Sequence, residues 1–129
     1  MKKILTIALV VVLLLSMTAC GGNTAAKDQY VVGICQLVKH DALDAATQGF
    51  MDALKEELGE ENVVFELQNA AGDSNTCSTI VNTFVSDDVD LIMANATPAL
   101  QAAAAATDEI PILGTSVTEY GVALGIDGF

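Results

Sequence analysis

From Tyr30 onward the chain alternates between short apolar, β-branched runs and amphipathic stretches of helical period, and that alternation leaves few folds open. Residues 31–37 read as a strand. Residues 43–58 place Leu43, Ala46, Phe50, Ala53, Leu54 and Leu58 on one helical face, with Asp52, Glu56 and Glu57 elsewhere, and Gly59 closes the helix. Residues 63–68 give a second strand. Cys77, Ile80, Val81, Phe84 and Val85 form the stripe of a second helix, for which Asp73, Ser74 and Asn75 are N-cap candidates. Residues 89–95 supply a third strand. Thr97 as N-cap, with Pro98 at the first helical position, predicts a third helix through the Ala-rich stretch to Thr107. Residues 110–114 make the fourth strand, where Pro111 is tolerable only near the start or on an edge.

Strands separated by helices of this length are joined by crossovers, so the predicted fold class is α/β: a doubly wound parallel sheet with helices on both faces. In such sheets ligands collect outside the carboxyl ends of the strands, near the switch in strand order. Four loops fall there, at 36–41, 69–75, 95–98 and 115–120. The first brings Lys39, His40 and Asp41; the fourth brings Thr115, Ser116 and Thr118. The second and third end at helix amino termini, whose free N–H groups and dipole favour an anion, and both are rich in short polar side chains: Gln68-Asn69-Ala70-Ala71-Gly72-Asp73-Ser74 and Asn95-Ala96-Thr97-Pro98. Each residue alone serves as well for a cap or a turn; the convergence of all four loops on one edge is the functional signal.

Several enzyme classes lack their motifs. No G-x-G-x-x-G or G-x-x-x-x-G-K-[ST] follows a strand, and no G-x-S-x-G elbow is present. A response-regulator receiver needs acidic residues at the ends of its first and third strands, which here read Gln36 and Asn95. The single His40, beside Asp41 and Asp44, is a conceivable base or metal ligand, but a lone loop histidine more often makes a contact or a hydrogen bond. No His/Cys spacing suits a metal, and no cofactor is implied.

The amino terminus carries a different message. Lys2 and Lys3, an unbroken apolar run over 4–15, and Ser16-Met17-Thr18-Ala19 before Cys20 make an export signal over 1–19, too short to span a bilayer as a helix. Small residues before Cys20 resemble the lipobox of bacterial lipoproteins, in which that cysteine is acylated and becomes the new N-terminus. The small and polar residues that follow, to Gln29, read as a flexible tether, so 20–29 is a lipid-anchored leash and 30–129 the folded part. The expected location is extracytoplasmic, anchored to the cell membrane. The whole chain carries a formal charge of −12 and no arginine. Without residues 1–19, three lysines face seventeen carboxylates, about −14. Such a surface repels nucleic acid and anionic lipid, so membrane attachment falls to Cys20. Cys35 and Cys77, in a strand pattern and on an apolar helical stripe, read as two buried thiols rather than a disulfide.

The mature sequence is similar to a known family. Val32-Gly33-Ile34-Cys35-Gln36 running through His40-Asp41-Ala42-Leu43-Asp44 to Gln48-Gly49-Phe50 resembles the opening of ABC-transporter substrate-binding proteins of the tryptophan/tyrosine type. The resemblance continues in Gln68-Asn69-Ala70-Ala71-Gly72-Asp73, in residues 84–92, in Ala96-Thr97-Pro98-Ala99-Leu100, and in Ile110-Pro111-Ile112-Leu113-Gly114-Thr115-Ser116-Val117-Thr118.

It implies a non-enzymatic lipoprotein receptor that captures a small solute, an amino acid with an aromatic or apolar side chain, for a permease driven by a cytoplasmic ATPase. It implies ligand contacts from His40, Asp41, Gln68, Asn69, Asp73, Thr97, Pro98, Ser116 and Thr118, with loop carboxylates suiting an ammonium and helix amino termini a carboxylate. Lys39 departs from the acidic residue expected before the histidine. Family members close two lobes over the solute. The length here matches the first lobe alone, so a truncated lobe is expected, ending without a further strand or helix and leaving apolar surface exposed. The alternatives are a sensory receptor of the same shape, and a tethered α/β hydrolase or deaminase using His40 and Asp41.

Overall fold

The computed structural model describes residues 29–127. The expected signal over 1–19, Cys20 and all of the tether except Gln29 lie outside the described residues. The elements run β1 (Tyr30–Gln36), α1 (Asp41–Leu58), a 3-10 turn (Glu60–Asn62), β2 (Val63–Asn69), α2 (Ser74–Ser86), β3 (Leu91–Asn95), α3 (Thr97–Ala106), β4 (Ile112–Thr115) and α4 (Tyr120–Leu124). The strands form one sheet in the order β2-β1-β3-β4, and every pairing is parallel. This is the α/β architecture that the alternation predicts. Strand order reverses at β1, whose neighbours are β2 and β3. The switch point therefore lies between the carboxyl ends of β1 and β3, where Gln36 pairs with Asn95.

The two faces of the sheet are covered by different helices, and the period of two along β1 shows it. Val32 and Ile34 pack with Val63 and Met93 under Phe50, Met51 and Leu54 of α1. Cys35 belongs to the larger core of the opposite face, with Ile92, Ala94, Cys77, Val81 and Phe84 from β3 and α2, and Ala99, Leu100 and Ala103 from α3. Gly33 is required on that second face: a Cβ there would stand 2.6 Å from the Phe84 ring.

The helices start and stop for local reasons. His40, extended at φ −155°, accepts the Ala42 N–H on Nδ1 at 3.2 Å and caps α1, so the helix begins two residues before the periodic stripe. Asp41 and Asp44 in its first turn and Lys55 in its last complement the dipole, and Gly59 at φ 90° ends it. Asp73 caps α2, accepting from Asn75 N at 2.9 Å and from the Thr76 hydroxyl at 3.1 Å.

Four expectations need correction. Thr97 is not the N-cap of α3 but its first residue; Ala96 holds the cap position and no side chain caps the helix. β3 begins at Leu91 rather than residue 89, because the chain turns through Asp88 at φ 55° and the Asp90 carboxylate accepts the Val31 N–H at 2.7 Å. β4 begins at Ile112, with Pro111 just before it and its carbonyl accepting Ile92 N. A further helix does follow the fourth loop. Glu119 caps α4 through the N–H groups of Gly121 and Val122, and the Tyr120 hydroxyl donates to Gly114 O at 2.8 Å. Exposed apolar side chains nevertheless remain in this region at Leu113, Val122 and Ile126.

Candidate functional site

Parallel pairing carries all four polar loops to the carboxyl edge of the sheet, and backbone hydrogen bonds stitch them together there. Leu37 N donates to Asn95 O, Ala70 N to Gln36 O, Gly72 N to Leu37 O at 2.7 Å, and Ala96 N to Thr115 O at 3.0 Å. Each loop is thus tied to its neighbour along the edge, and the Leu37–Asn95 bond crosses the switch point.

The backbone is strained here. Ala71, Ala96 and Ser116 have positive φ values of 53°, 97° and 56°, one in each of the second, third and fourth loops. Ala96, at φ 97° and ψ 159°, occupies a region that is essentially reserved for glycine. Strain of this kind costs on the order of 1–3 kcal/mol per residue and concentrates at ligand sites. The same residue leads into the uncapped amino end of α3. Because Pro98 has no N–H, the free donors of that first turn are few and well defined.

The nine expected ligand residues all lie on or beside this edge, but they are not equally available. His40 and Asp73 spend acceptor atoms on capping their own helices. Asn69 Oδ1 accepts from Ala71 N at 2.9 Å in a local turn. The Thr97 hydroxyl oxygen accepts from Thr118 N at 3.5 Å, joining the third and fourth loops. Asp41, Gln68, Ser116 and Thr118 are exposed, and Pro98 is half-buried at the start of α3. Gln68 alternates to the opposite sheet face from Asn69.

Four further residues organise the edge from beneath. Gln36 and Thr47 are 3% exposed and Asn95 0%, and they are the buried polar side chains among the described residues. All belong to one network. Thr47 Oγ1 donates to Gln36 Oε1 at 2.7 Å, and Gln36 Nε2 donates to Asp44 Oδ1 at 2.6 Å and to Val38 O at 2.9 Å. Asn95 Nδ2 donates to Leu43 O at 2.8 Å and to Thr47 Oγ1 at 2.9 Å, while Asn95 Oδ1 has no partner among the described residues. The network thus pins the first loop and the first turns of α1 onto the ends of β1 and β3. In the sequence Gln36 and Asn95 read as strand ends and loop residues, with nothing to show that they join one buried network. The missed signal was Thr47, a polar residue in step with Leu43, Phe50 and Leu54 on the buried face of α1.

A groove of about 350 Å³ opens beside the edge, between α1 and the carboxyl half of β2. Gln36, Lys39, Asp44, Thr47, Gln48 and Asn69 are its polar lining, and Met51 and Leu67 its apolar lining. Asn69 alone belongs to the nine expected residues.

Cys35 and Cys77 are free and buried in the same core cluster on the far face of the sheet. Burial, with a smaller contribution from Cys77, pushes the Cys35 thiol up to about 12, and burial raises Cys77 as well. Both are neutral hydrophobes at ordinary pH. No group of three His, Cys, Asp or Glu side chains suited to a metal occurs among the described residues.

An open, all-parallel α/β sheet with stitched, strained loops and an uncapped helix at its switch point is a doubly wound fold with a candidate site at one edge. The family profile of ABC transporter substrate-binding proteins matches residues 31–126, and the chain belongs to that family. It is 42% identical over 132 residues to a tyrosine-binding protein of Clostridioides difficile, covering 92% of this chain and 38% of the relative. Among solved structures, it resembles the ligand-free, open form of a substrate-binding protein with adhesive properties from Clostridium difficile. That likeness has a TM-score of 0.70 and 45% identity over 73% of this chain and 32% of the other. It also resembles the ABC domain from Streptococcus pneumoniae in complex with L-Trp, with a TM-score of 0.70 and 31% identity over 74% of this chain and 32% of that one. The chain thus spans between about a third and two-fifths of the length of these relatives.

Proposed function

We propose that residues 30–129 form the first lobe of a two-lobed receptor for an amino acid with an aromatic side chain, and that the solute is passed to an ABC permease. The observation that carries this reading is the uncapped amino end of α3 behind the strained Ala96 at the switch point. An α-carboxylate fits there, since free N–H groups and the helix dipole favour an anion. The Asp41 carboxylate, at the junction of the first loop and α1, makes no side-chain hydrogen bond among the described residues and suits the α-ammonium. Thr97, Ser116 and Thr118 flank the carboxylate position. The relatives named for tyrosine and for L-Trp supply the side-chain class.

A binding role rather than a catalytic one is supported by His40, whose Nδ1 is engaged in capping α1. Cys20 is proposed as the lipid anchor, with 20–29 as the tether and 1–19 as the cleaved signal, placing the lobe outside the cytoplasm. Replacing Cys20 with Ala is expected to abolish incorporation of a clickable fatty acid and release the protein from membranes. Label that persists in the variant overturns the anchor.

One lobe offers contacts on one side of a solute and forfeits the enclosure on which small-molecule affinity depends. The test therefore fuses this chain to the remaining part of the Clostridioides difficile relative and titrates it calorimetrically with L-tyrosine and L-tryptophan. Binding by the fusion that weakens about tenfold or more in Asp41→Asn, a loss of one charge-assisted contact, supports the reading. No binding by the fusion, or turnover of the amino acid, overturns it.

A further inference from the structure

The groove between α1 and β2 is built differently from the edge loops. Its floor is apolar, with Met51 from α1 and Leu67 from β2, and Leu67 remains 51% exposed although it lies on the sheet face that α1 covers. Its rim carries one charge of each sign. Lys39 has no carboxylate within ion-pair distance among the described residues. Asp44 presents one oxygen to Gln36 Nε2 and keeps the other without a donor from the described residues. The wall between them is preorganised, because Thr47 and Gln36 are 3% exposed and locked to each other. A volume of about 350 Å³ sits at the small end of the range for ligand pockets, about 300–1,000 Å³, and suits a single small molecule rather than a peptide or a nucleotide cofactor.

We propose that this groove is a second solute site, contained wholly within the lobe, for a zwitterionic amino acid with an apolar side chain: Asp44 takes the ammonium, Lys39 the carboxylate, and Met51 with Leu67 the side chain. The ligand class rests on the function proposed above, whereas the location rests on the groove alone. Ordering the solute here needs no second lobe, so the groove binds in the isolated chain. It also holds solute beside the carboxyl edge, since Lys39 and Asn69 belong both to the groove and to the first two loops.

The test is a methyl-detected NMR titration of the protein with L-phenylalanine and L-leucine, using N-acetyl-L-leucinamide as the probe without either charge. Expected are saturable shifts of the Met51 and Leu67 methyls in the millimolar range, about tenfold weaker binding in Lys39→Gln and in Asp44→Asn, and weak or no response to the amide. Lys39 is exposed, so its replacement leaves the fold intact. Three outcomes overturn the groove: shifts confined to the Thr97 and Thr118 methyls, no shift at tens of millimolar solute, or equal response to the uncharged probe. The two-lobe calorimetry decides the edge site independently, so failure of the groove and failure of the receptor reading are separately visible.

Discussion

Single residues carry more of this site than their exposure suggests. Ala96 adopts a conformation that glycine enters freely and alanine does not, so Ala96→Gly is expected to stabilise the fold. The relieved strain, about 1–3 kcal/mol, exceeds the extra chain entropy of glycine, about 0.5–1 kcal/mol. A raised urea midpoint checks this, and a lowered one shows that the loop is not strained. Thr47 is the hub of the buried network, donating to Gln36 and accepting from Asn95. Thr47→Val preserves its shape, leaves Gln36 Oε1 without its donor and Asn95 Nδ2 with Leu43 O alone, an expected loss of about 1–3 kcal/mol, whereas Thr47→Ser keeps the hydroxyl and is expected to recover most of it. The buried thiols set a pH dependence. Cys35 ionises at about 12 in the folded protein against an ordinary 9.0, so its contribution is fully present below pH 9 and is lost as pH rises towards 12. The urea midpoint is expected to fall between about pH 8 and about pH 10.5, and to fall less in Cys35→Ala, whose side chain does not titrate. The sequence made the exposed loop residues legible because their types are unusual for a core. It concealed Thr47, whose importance comes from partners 11 and 48 residues away.

The elements were legible where period and caps agreed. α2 starts where Asp73 predicts and α1 stops where Gly59 predicts, since each signal acts within one turn of the backbone. The start of α3 was misplaced because Thr97 is a good cap by type, but its hydroxyl faces the fourth loop and the tertiary contact overrides the local preference. The short α4 was missed because five residues give too little periodicity to read. Packing between elements was not legible at all, and Gly33 shows why. In sequence it is one small residue in an apolar run, yet it is the place where β1 admits the buried Phe84 ring of α2. Gly33→Ala puts a methyl 2.6–3.0 Å from three ring carbons and is expected to cost about 1–3 kcal/mol. In the background of Phe84→Leu the same substitution is expected to cost clearly less, a coupling that a double-mutant cycle in urea measures. Equal costs in both backgrounds refute the close approach.

At the scale of the whole molecule, the fold class followed from alternation alone, because parallel strands joined by helices have few arrangements and the order β2-β1-β3-β4 is one of them. The electrostatic character was also readable, since net charge needs no coordinates. Its structural distribution was not. Glu60 and Glu61 before β2, Asp87, Asp88 and Asp90 before β3, and Asp108 and Glu109 before β4 gather at the amino edge of the sheet, opposite the site. Lys55, paired with Glu60 at 3.4 Å, is the cation close by among the described residues. Like charges on one edge repel, and the repulsion acts on the compact state more than on the extended chain. Stability should therefore rise with salt, by screening, between about 0.02 M and about 0.5 M sodium chloride, where the Debye length falls below about 10 Å. Salting-out of apolar surface also raises stability, so a charge variant is needed to separate the two. Asp88, exposed and at φ 55°, suits the purpose: asparagine tolerates the same left-handed conformation, and Asp88→Asn removes one charge from the crowded edge without asking the backbone to move. The expected outcome is a gain of a few tenths of a kcal/mol to about 1 kcal/mol at low salt, shrinking towards zero at high salt. A gain of the same size at both salt concentrations assigns the effect to the turn instead of the charge, and a loss shows that the acidic edge does not destabilise the fold.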